Sequence, residues 1–470
     1  MSRSLLRSSC RLLCCLGVLT VLLLGRAVAS GSEDVPRVIS GDEVWSGQVV
    51  LEGSLQIPEG ASLTLQPGTE LRFPANAAFE IQGRLTAKGS AAKPIVCLPA
   101  VAGAASGFWQ GLSIHSRSEK VELEHLVVDG AALSLQVSES LVHVASATLR
   151  NGAKGVVTGI GARLVLDNVL ITGMSEGGVE ASVKSQVQVL NCRIEKVAGF
   201  GVQAGQQAAV LVRNNRITGA KFGILIAGDF PPLEGNVLEN CELGIGVAHA
   251  GPSAIVRGNR VSGGKVGIAC QQFASPLVER NIITDCAEGV TCFQGASPMI
   301  RQNRFEKNQR AISCVQMCYP MITLNDFINN DCSVYLHLSS YARIEANNFE
   351  GGRLHVELDN MSYDWEVRAT KPMRNRQKQN EAFMRSGKAA TGDAQAVSVE
   401  SEGFVNAKGN YWGVATTQEI VAKGLEANLA AIQDAFDVPT RTYEGWPGEY
   451  LQDRVRYDDW KAEKISGTGP

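Results

Sequence analysis

The chain of 470 residues has few charged and few aromatic side chains, and neither charge sign dominates. Charged residues make up 19% and aromatic residues 6% of the sequence, and the formal net charge is −3. Without a basic excess we expect no nucleic-acid partner. The composition is too apolar for a disordered chain and too poor in helix-forming residues for a coiled coil. A chain of this length therefore forms several domains or one repeat that grows in a single direction.

The start of the sequence has the pattern of a secretory signal peptide. Three arginines precede the apolar segment 12–24, and Ala27-Val28-Ala29 is a small-residue cleavage site. We predict a signal peptide over 1–29, cleavage near Ala29, and a periplasmic or secreted protein with no stable membrane span. An uncleaved membrane anchor is the alternative, although the apolar run is short for the roughly 20 residues that a span needs.

The middle of the chain repeats a phrase of about 22 residues. Within each line apolar residues alternate with polar or small ones, as Ile268 and Cys270 do, which is the period of a strand with one buried face. The pattern predicts an all-β, right-handed parallel β-helix with three short strands in each coil. The lines that fall into register begin at Gly223, Gly244, Gly267, Gly289, Ala311 and Ser333.

Asparagine forms the most regular column of the repeat. Asn tolerates left-handed backbone and can bond to the Asn of the next coil, so we interpret the column as a structural ladder at a turn. The alternative is a polar binding row. The predicted ladder residues are Asn259, Asn281, Asn303, Asn325 and Asn347, with Asn168, Asn215 and Asn236 upstream.

Nine of the twelve cysteines follow residue 29, and this odd number excludes complete internal pairing. Cys270, Cys292 and Cys314 are 22 residues apart, and we interpret them as buried core side chains. Disulfides between adjacent coils are the alternative. The six histidines are scattered and there is no CxxC pair, so the sequence predicts no metal site and no cofactor.

Three further phrases carry a family resemblance. They are GQVVLEGSLQIPEGASLTLQPGTELRF from Gly47, GRLTAKGSAAKPIVC from Gly83 and GNYWG from Gly409. They resemble the opening and closing coils of bacterial exported right-handed parallel β-helix proteins of the pectate-lyase-like superfamily. The resemblance covers about residues 44–413 and implies the same fold.

The pattern divides the chain into four segments. After the signal peptide, 30–130 is expected to form an N-terminal cap and opening coils, and 131–413 the β-helix repeats. A basic loop is inserted at about 365–400. Residues 414–470 are expected to form a C-terminal capping helix and a tail, with Thr416 and Glu419 as a capping box. The apolar stripe of that helix would be Ile420, Leu425, Leu429, Ile432 and Phe436.

The sequence assigns no catalytic residue. The resemblance implies that a lyase on this fold would need carboxylates holding Ca²⁺ beside an Arg or Lys base, and a glycosidase would need paired acids; neither set is evident. Outward aromatic residues could instead form a platform for sugar rings. The alternative is that the tail or the inserted loop covers them. The candidate ligand-binding residues are Phe293, Tyr319, Tyr335, His337 and Tyr341.

These observations favour an exported, non-enzymatic, monomeric β-helix protein. Its expected partner is an extended ligand such as a polysaccharide, or another component of the cell envelope in a structural role. Two alternatives stay open: a divergent polysaccharide lyase or glycoside hydrolase, and a periplasmic accessory factor for metalloenzyme maturation.

Overall fold

Three parallel β-sheet faces wind around one continuous apolar core, as the repeat predicts. The computed structural model describes residues 36–117, 120–368 and 403–470, so the predicted signal peptide lies outside the described residues. In each coil the chain runs from face 1 to face 2, turns, follows face 3 and returns to face 1. Equivalent strands of successive coils pair in parallel, for example Ile312 with Val334. The fold is a parallel β-solenoid.

The strands of the three faces have the following bounds. Face 1 consists of Arg37–Val38, Leu55–Ile57, Ala78–Ile81, Gly111–Ile114, Leu133–Val137, Lys154–Thr158, Gly177–Ala181, Phe200–Ala204, Phe222–Ala227, Leu243–Ala248, the ends of Arg260–Gln271 and Ile282–Phe293, Arg310–Val315, Cys332–His337, Leu354–Asp359 and Ile432–Gln433. Face 2 consists of Asp42–Trp45, Ser62–Leu65, Arg84–Lys88, Lys120–Glu124, Leu141–Ala145, Arg163–Asp167, Gln186–Leu190, Ala209–Arg213, Leu233–Glu234, Ile255–Arg257, Leu277–Glu279, Met299–Arg301, Met321–Thr323, Arg343–Glu345, Phe404–Asn406 and Arg454–Arg456. Face 3 consists of Gln48–Val50, Glu70–Phe73, Ile95–Pro99, Leu126–Asp129, Thr148–Arg150, Leu170–Met174, Arg193–Val197, Arg216–Thr218, Val237–Glu239, the beginnings of Arg260–Gln271 and Ile282–Phe293, Arg304–Glu306, Asp326–Ile328 and Asn348–Glu350.

Like residues stack in the core because the coils repeat at the strand spacing of about 4.8 Å. The rings of Phe305, Phe327, Phe349 and Trp412 form one such stack, with successive centroids 5.1, 4.8 and 4.8 Å apart. The same close stacking of coils explains why a glycine opens most of the repeat lines. A Cβ on Gly267 would lie 2.5 Å from the carbonyl oxygen of Gly289 in the next coil, so a side chain there would collide with backbone.

A ladder of buried asparagines occupies the turn between face 2 and face 3. The Oδ1 of each accepts hydrogen bonds from the backbone N–H and the Nδ2 of the preceding one, and the backbone bonds are 2.8–3.0 Å long. The ladder consists of Asn215, Asn236, Asn259, Asn281, Asn303, Asn325, Asn347 and Asn410. Asn347 bonds directly to Asn410, so the ladder continues although Asn410 lies 63 positions further along the chain.

Asn168 does not belong to this ladder, contrary to the sequence interpretation. Its φ is 55°, and buried Val169 lies in the position that Asn215 takes two coils later. Asn168 instead shares its column with Asn191 and Asn214, which have the same left-handed backbone. Asn is therefore favoured in this column because it tolerates left-handed backbone. In the ladder it is favoured because its side-chain amide bonds to the next coil.

The first coil closes the N-terminal end of the core with polar side chains. Arg37, Glu43 and Trp45 pair with Leu55, Leu63 and Leu65, whose side chains point inward. Arg37 and the Trp45 indole both donate to Oε2 of Glu43, at 3.0 and 2.9 Å. This N-terminal cap covers the apolar core and presents charge to the solvent.

The C-terminal end is covered by a short helix and a tail, but the helix is shorter than the sequence predicts. It spans Gly413–Lys423, and its N-cap is Trp412 without a side-chain cap bond, so Thr416 and Glu419 form no capping box. Gly424, with φ 87°, ends the helix. The predicted stripe is therefore not helical beyond Ile420. Ile432 instead lies in a short strand beside Val356.

Two smaller elements follow the last full coil. Tyr363–Arg368 is a helix, and Thr440–Tyr443 pairs with Trp446–Leu451 in an antiparallel hairpin. Residues 369–400 of the predicted basic loop lie outside the described residues. Within the described ranges no helix is long and apolar enough to cross a membrane.

Candidate functional site

Face 1 carries a strip of four small residues at outward positions, and three of the four are buried. The strip consists of Gly246, Ala269, Thr291 and Ser313, which pair in register across four coils. Ile312 and Cys314 point into the core, so Ser313 between them points outward. Ser313 is nevertheless only 1% exposed and Ala269 only 3%. Neighbouring side chains therefore cover these residues, as Leu225 and Leu243 do at Ala269, and we call this feature the recessed strip.

Taller residues form the two sides of the recessed strip. On one side lie Glu288 and Arg310, paired in adjacent coils. On the other side Phe293 and Val315 are half-buried, and Gln271 precedes Phe293 by one coil. Gln271 is 2% exposed, and its Nε2 has no hydrogen-bond partner among the residues that the structure describes. This side thus combines an apolar ring with an unused amide donor.

A polar network closes the C-terminal end of the strip. The Tyr335 hydroxyl donates to Oδ2 of Asp359 at 2.8 Å, and Nδ1 of His337 lies 3.2 Å from the same oxygen. Arg441, from the hairpin, lies 2.9 Å from Oδ1 of Asp359. Contact with His337, followed by the bond from Tyr335, lowers the pKa of Asp359 to about 2. Asp359 is therefore a carboxylate that holds three neighbours in place.

Arg310 and Glu288 form the charged part of the strip. The Arg310 guanidinium lies over the Tyr335 ring, with Cζ 3.6 Å from its centroid, and Nη1 lies 3.9 Å from Glu288. Burial raises the pKa of Glu288, although Arg310 and the Ser313 hydroxyl both act to lower it. This surface offers a carboxyl group and a guanidinium of opposite charge beside an apolar ring.

The structure brings together three of the five predicted ligand-binding residues. Phe293, Tyr335 and His337 project from face 1, with Val315 between Phe293 and His337 in one column. Tyr335 and His337 are only 5% and 7% exposed, so they form the closed end of the strip rather than an open platform.

The other two predicted residues, Tyr319 and Tyr341, lie in the turns between face 1 and face 2. Their rings stack with centroids 6.5 Å apart. Tyr341 is 1% exposed, and its hydroxyl lies 2.8 Å from Glu366 and 2.9 Å from Asp453. The prediction of an exposed aromatic at Tyr341 is therefore wrong, because the helix Tyr363–Arg368 and the tail cover this turn.

Sequence reasoning missed Glu288, Arg310, Asp359 and Arg441. A signal for the first two was present, since Glu288 and Arg310 are 22 residues apart in the repeat, as are Thr291 and Ser313. Arg441 has no such signal, because it lies outside the repeat and reaches face 1 only through the folding of the tail.

Two other carboxylates hold structural positions away from the strip. Glu279, 6% exposed, lies on face 2 between Arg257 and Arg301, at 3.6 and 2.8 Å. This is the alternating charge row that the sequence indicates. Asp326, on face 3, accepts a 2.7 Å bond from Thr468 of the tail.

The remaining candidate groups are the cysteines and the possible metal ligands. All nine cysteines after residue 29 are buried free thiols, and Cys270, Cys292 and Cys314 point into the core. In the part of the chain that the structure describes, no group of three or more His, Cys, Asp or Glu side chains is arranged to hold a metal ion.

Comparison with solved structures returns several β-helix proteins at low identity. The GH136 lacto-N-biosidase of Eubacterium ramulus is 12% identical, with a TM-score of 0.26, over 63% of this chain and 62% of that one. The A-module of the mannuronan C-5 epimerase AlgE6 of Azotobacter vinelandii is 12% identical, with a TM-score of 0.26, over 68% of this chain and 90% of that one. The surface protein and adhesin PfbA of Streptococcus pneumoniae is 10% identical, with a TM-score of 0.25, over 68% and 91%. This chain thus spans less than two thirds of the Eubacterium enzyme.

No curated protein matches the sequence. Residues 111–243, 185–319 and 245–410 each match the family described as right handed beta helix region. The matches overlap and together run from 111 to 410, which is more than half of the chain. This agrees with the parallel coils, and it confirms the predicted fold and the resemblance to pectate-lyase-like β-helix proteins at the level of the family. The chain belongs to the right-handed β-helix family.

Proposed function

We propose that the protein binds an extended glycan along the recessed strip of face 1. The observation that carries the proposal is a row of small residues, Gly246, Ala269, Thr291 and Ser313, that recurs at one outward position in four successive coils. The row follows the stack of coils between the longer side chains of Glu288, Arg310 and Phe293, and we infer a channel along it, which suits a linear ligand better than a compact one.

The side chains along the channel match the chemistry of a sugar chain. A pyranose has an apolar face that can stack on Phe293 and hydroxyl groups that can bond to Glu288 and Arg310. The network around Asp359 holds Tyr335 and Arg441 in place before a ligand arrives. Such preorganisation reduces the entropy lost on binding.

The test is to fill the channel. Wild-type protein is screened on immobilised cello-, xylo-, chito-, manno- and alginate oligosaccharides, and Ser313→Trp is compared with Thr284→Trp, which places the same side chain outward on face 3. We expect Ser313→Trp to abolish retention and Thr284→Trp to preserve it. Phe293→Ala is the second variant, chosen because this half-buried side chain lies outside the core. The proposal is wrong if both strip variants, folded by circular dichroism, bind like wild type.

Cleavage of a polysaccharide is the second candidate, and the raised pKa of Glu288 favours it. A carboxyl that keeps its proton closer to neutral pH is suited to act as a general acid. The check is whether wild-type protein releases new reducing ends or unsaturated products from the same glycans. Turnover that Glu288→Gln abolishes, while binding persists, would establish this candidate.

Export of a monomeric protein is a further part of the proposal. The arginine, apolar and Ala-Val-Ala pattern of residues 1–29 supports it. Amino-terminal sequencing of the protein from cell fractions should find Ser30 first in the periplasm or medium. Light scattering should give the mass of one chain.

A further inference from the structure

The hairpin near the C-terminus holds a compact group of aromatic rings next to the recessed strip. Trp365 stacks on Tyr443 with centroids 4.7 Å apart and meets Trp446 edge to face at 6.2 Å. Trp446 is 40% exposed. Because the contact with Trp365 is perpendicular, at least one face of the Trp446 indole is not covered by it. We call Trp365, Tyr443 and Trp446 the hairpin aromatic patch.

The patch is fixed in position rather than carried on a free loop. Tyr443 also packs edge to face on Tyr450, at 5.8 Å, and accepts a bond from Gln452. Arg368 lies over the Tyr450 ring at 4.5 Å and ties the helix Tyr363–Arg368 to the hairpin. An indole held in this way loses little freedom when a ligand stacks on it.

One residue joins the patch to the end of the strip. Arg441, in the same hairpin strand as Tyr443, contacts both Asp359 and Asn360 at 2.9 Å. Asp359 in turn holds Tyr335 at the closing end of the strip. Arg441 therefore joins the hairpin that carries the patch to the closed end of the strip, and a glycan that continued over Tyr335 and His337 would extend towards Trp446.

We infer that Trp446 and its supporting rings form a second subsite for the same extended glycan. This inference rests on the proposed function of the strip. A sugar ring would stack on the open face of Trp446, and the exposed carboxylate of Glu444 in the adjoining turn can accept hydrogen bonds from its hydroxyl groups. The ligand class is accordingly a glycan long enough to occupy both places, and short oligosaccharides occupy the strip alone.

When one ligand can occupy two subsites, its affinity depends on its length. Once the strip is occupied, the second contact is intramolecular, so affinity for a long chain rises without any change in affinity for a short one. Stacking successive aromatic residues on adjacent coils would not give this behaviour, because coils only about 4.8 Å apart place their rings in contact with each other.

The experiment compares disaccharides with octasaccharides of the five glycan series by calorimetry. Wild-type protein should bind the octasaccharide at least about tenfold more tightly. Trp446→Ala should lower octasaccharide affinity to the disaccharide level and leave the disaccharide unchanged. Leu451→Ala is the matched control, because Leu451 is 63% exposed on the same hairpin and carries no ring. It should behave like wild type.

The outcomes separate this inference from the proposal on which it rests. If Trp446→Ala and Leu451→Ala both bind the octasaccharide like wild type, the second subsite is excluded while the strip stands. If Trp446→Ala weakens disaccharide and octasaccharide equally, the patch is part of one site and the inference is overturned. If the wild-type protein binds no member of the series, the proposed function itself fails.

Discussion

The hydroxyl of Tyr335 donates a 2.8 Å hydrogen bond to Asp359, which lies one coil further along face 1. The same carboxylate contacts His337 and Arg441, so one side chain joins two coils of the solenoid to the C-terminal hairpin.

Replacing this carboxylate should remove a pH-dependent part of the stability. The pKa of Asp359 falls from 3.8 to about 2 on folding, so its contribution is present above pH 3.8 and disappears as the pH falls towards 2. The contribution is on the order of 2 kcal/mol. In urea titrations Asp359→Asn should lower the free energy of unfolding at pH 7 and flatten its fall below pH 4. An unchanged pH profile would contradict this account.

Breaking the asparagine ladder in its middle should be costly. Asn303 accepts from the backbone and side chain of Asn281 and donates to Val278 and Asn325, all within the buried turn. Asn303→Ala leaves buried groups without partners, and we expect a loss of about 3 kcal/mol in the free energy of unfolding. Gln309→Ala, at an exposed turn position, is the control. Equal free energies of unfolding for the two variants would show that the ladder does not stabilise the fold.

The core thiols should not react in the folded protein. Cys292 is 1% exposed, and its contact with Cys314 together with burial raises its pKa far above the usual range. Iodoacetamide followed by mass spectrometry should label Cys292 only after denaturant is added. Labelling of the native protein at the rate of a free peptide thiol would place this column on the surface.

Buried His355 should make the protein sensitive to mild acid. Burial lowers its pKa from 6.5 to about 4, and its Nε2 donates to the carbonyl of Trp412 at 3.0 Å. As the pH is lowered, His355 therefore takes up its proton at a higher pH in the unfolded chain than in the folded one. The free energy of unfolding falls between pH 6.5 and pH 4 by an amount on the order of 3 kcal/mol.

The variant His355→Gln keeps an amide that can donate to Trp412 but does not titrate. Its free energy of unfolding should vary less between pH 7 and 4 than that of the wild type. His143→Gln, on face 2, controls for the loss of a histidine, and a wild-type slope in both variants would refute the assignment.

The repeat could be predicted from the sequence because its signals reinforce one another. Asn281 and Asn303 recur at the same interval as Cys270 and Cys292, and each column has one physical requirement, an amide bond or a small apolar volume. The residues of the recessed strip recur at the same interval. How far the side chains of Glu288, Arg310 and Phe293 project beside them cannot be predicted from that interval.

The parts outside the repeat could not be predicted in the same way. Tyr341 has the sequence context of an exposed turn residue, and only the folded positions of Glu366 and Asp453 bury it. These partners are 25 and 112 residues away in the chain. Arg441 reaches Asp359 through the same long-range folding of the tail, so the C-terminal end of the candidate site had no local signal.

The polar first coil has a consequence for the behaviour of the protein at high concentration. Without Arg37, Glu43 and Trp45, the end of the solenoid would present the apolar side chains of Leu55, Leu63 and Leu65 together with open strand edges. Two such ends could pair strand to strand, and repetition of that contact would produce end-to-end polymers. The contacts of Arg37 and Trp45 with Glu43 therefore hold polar groups over the apolar end of the stack, where they oppose such end-to-end association.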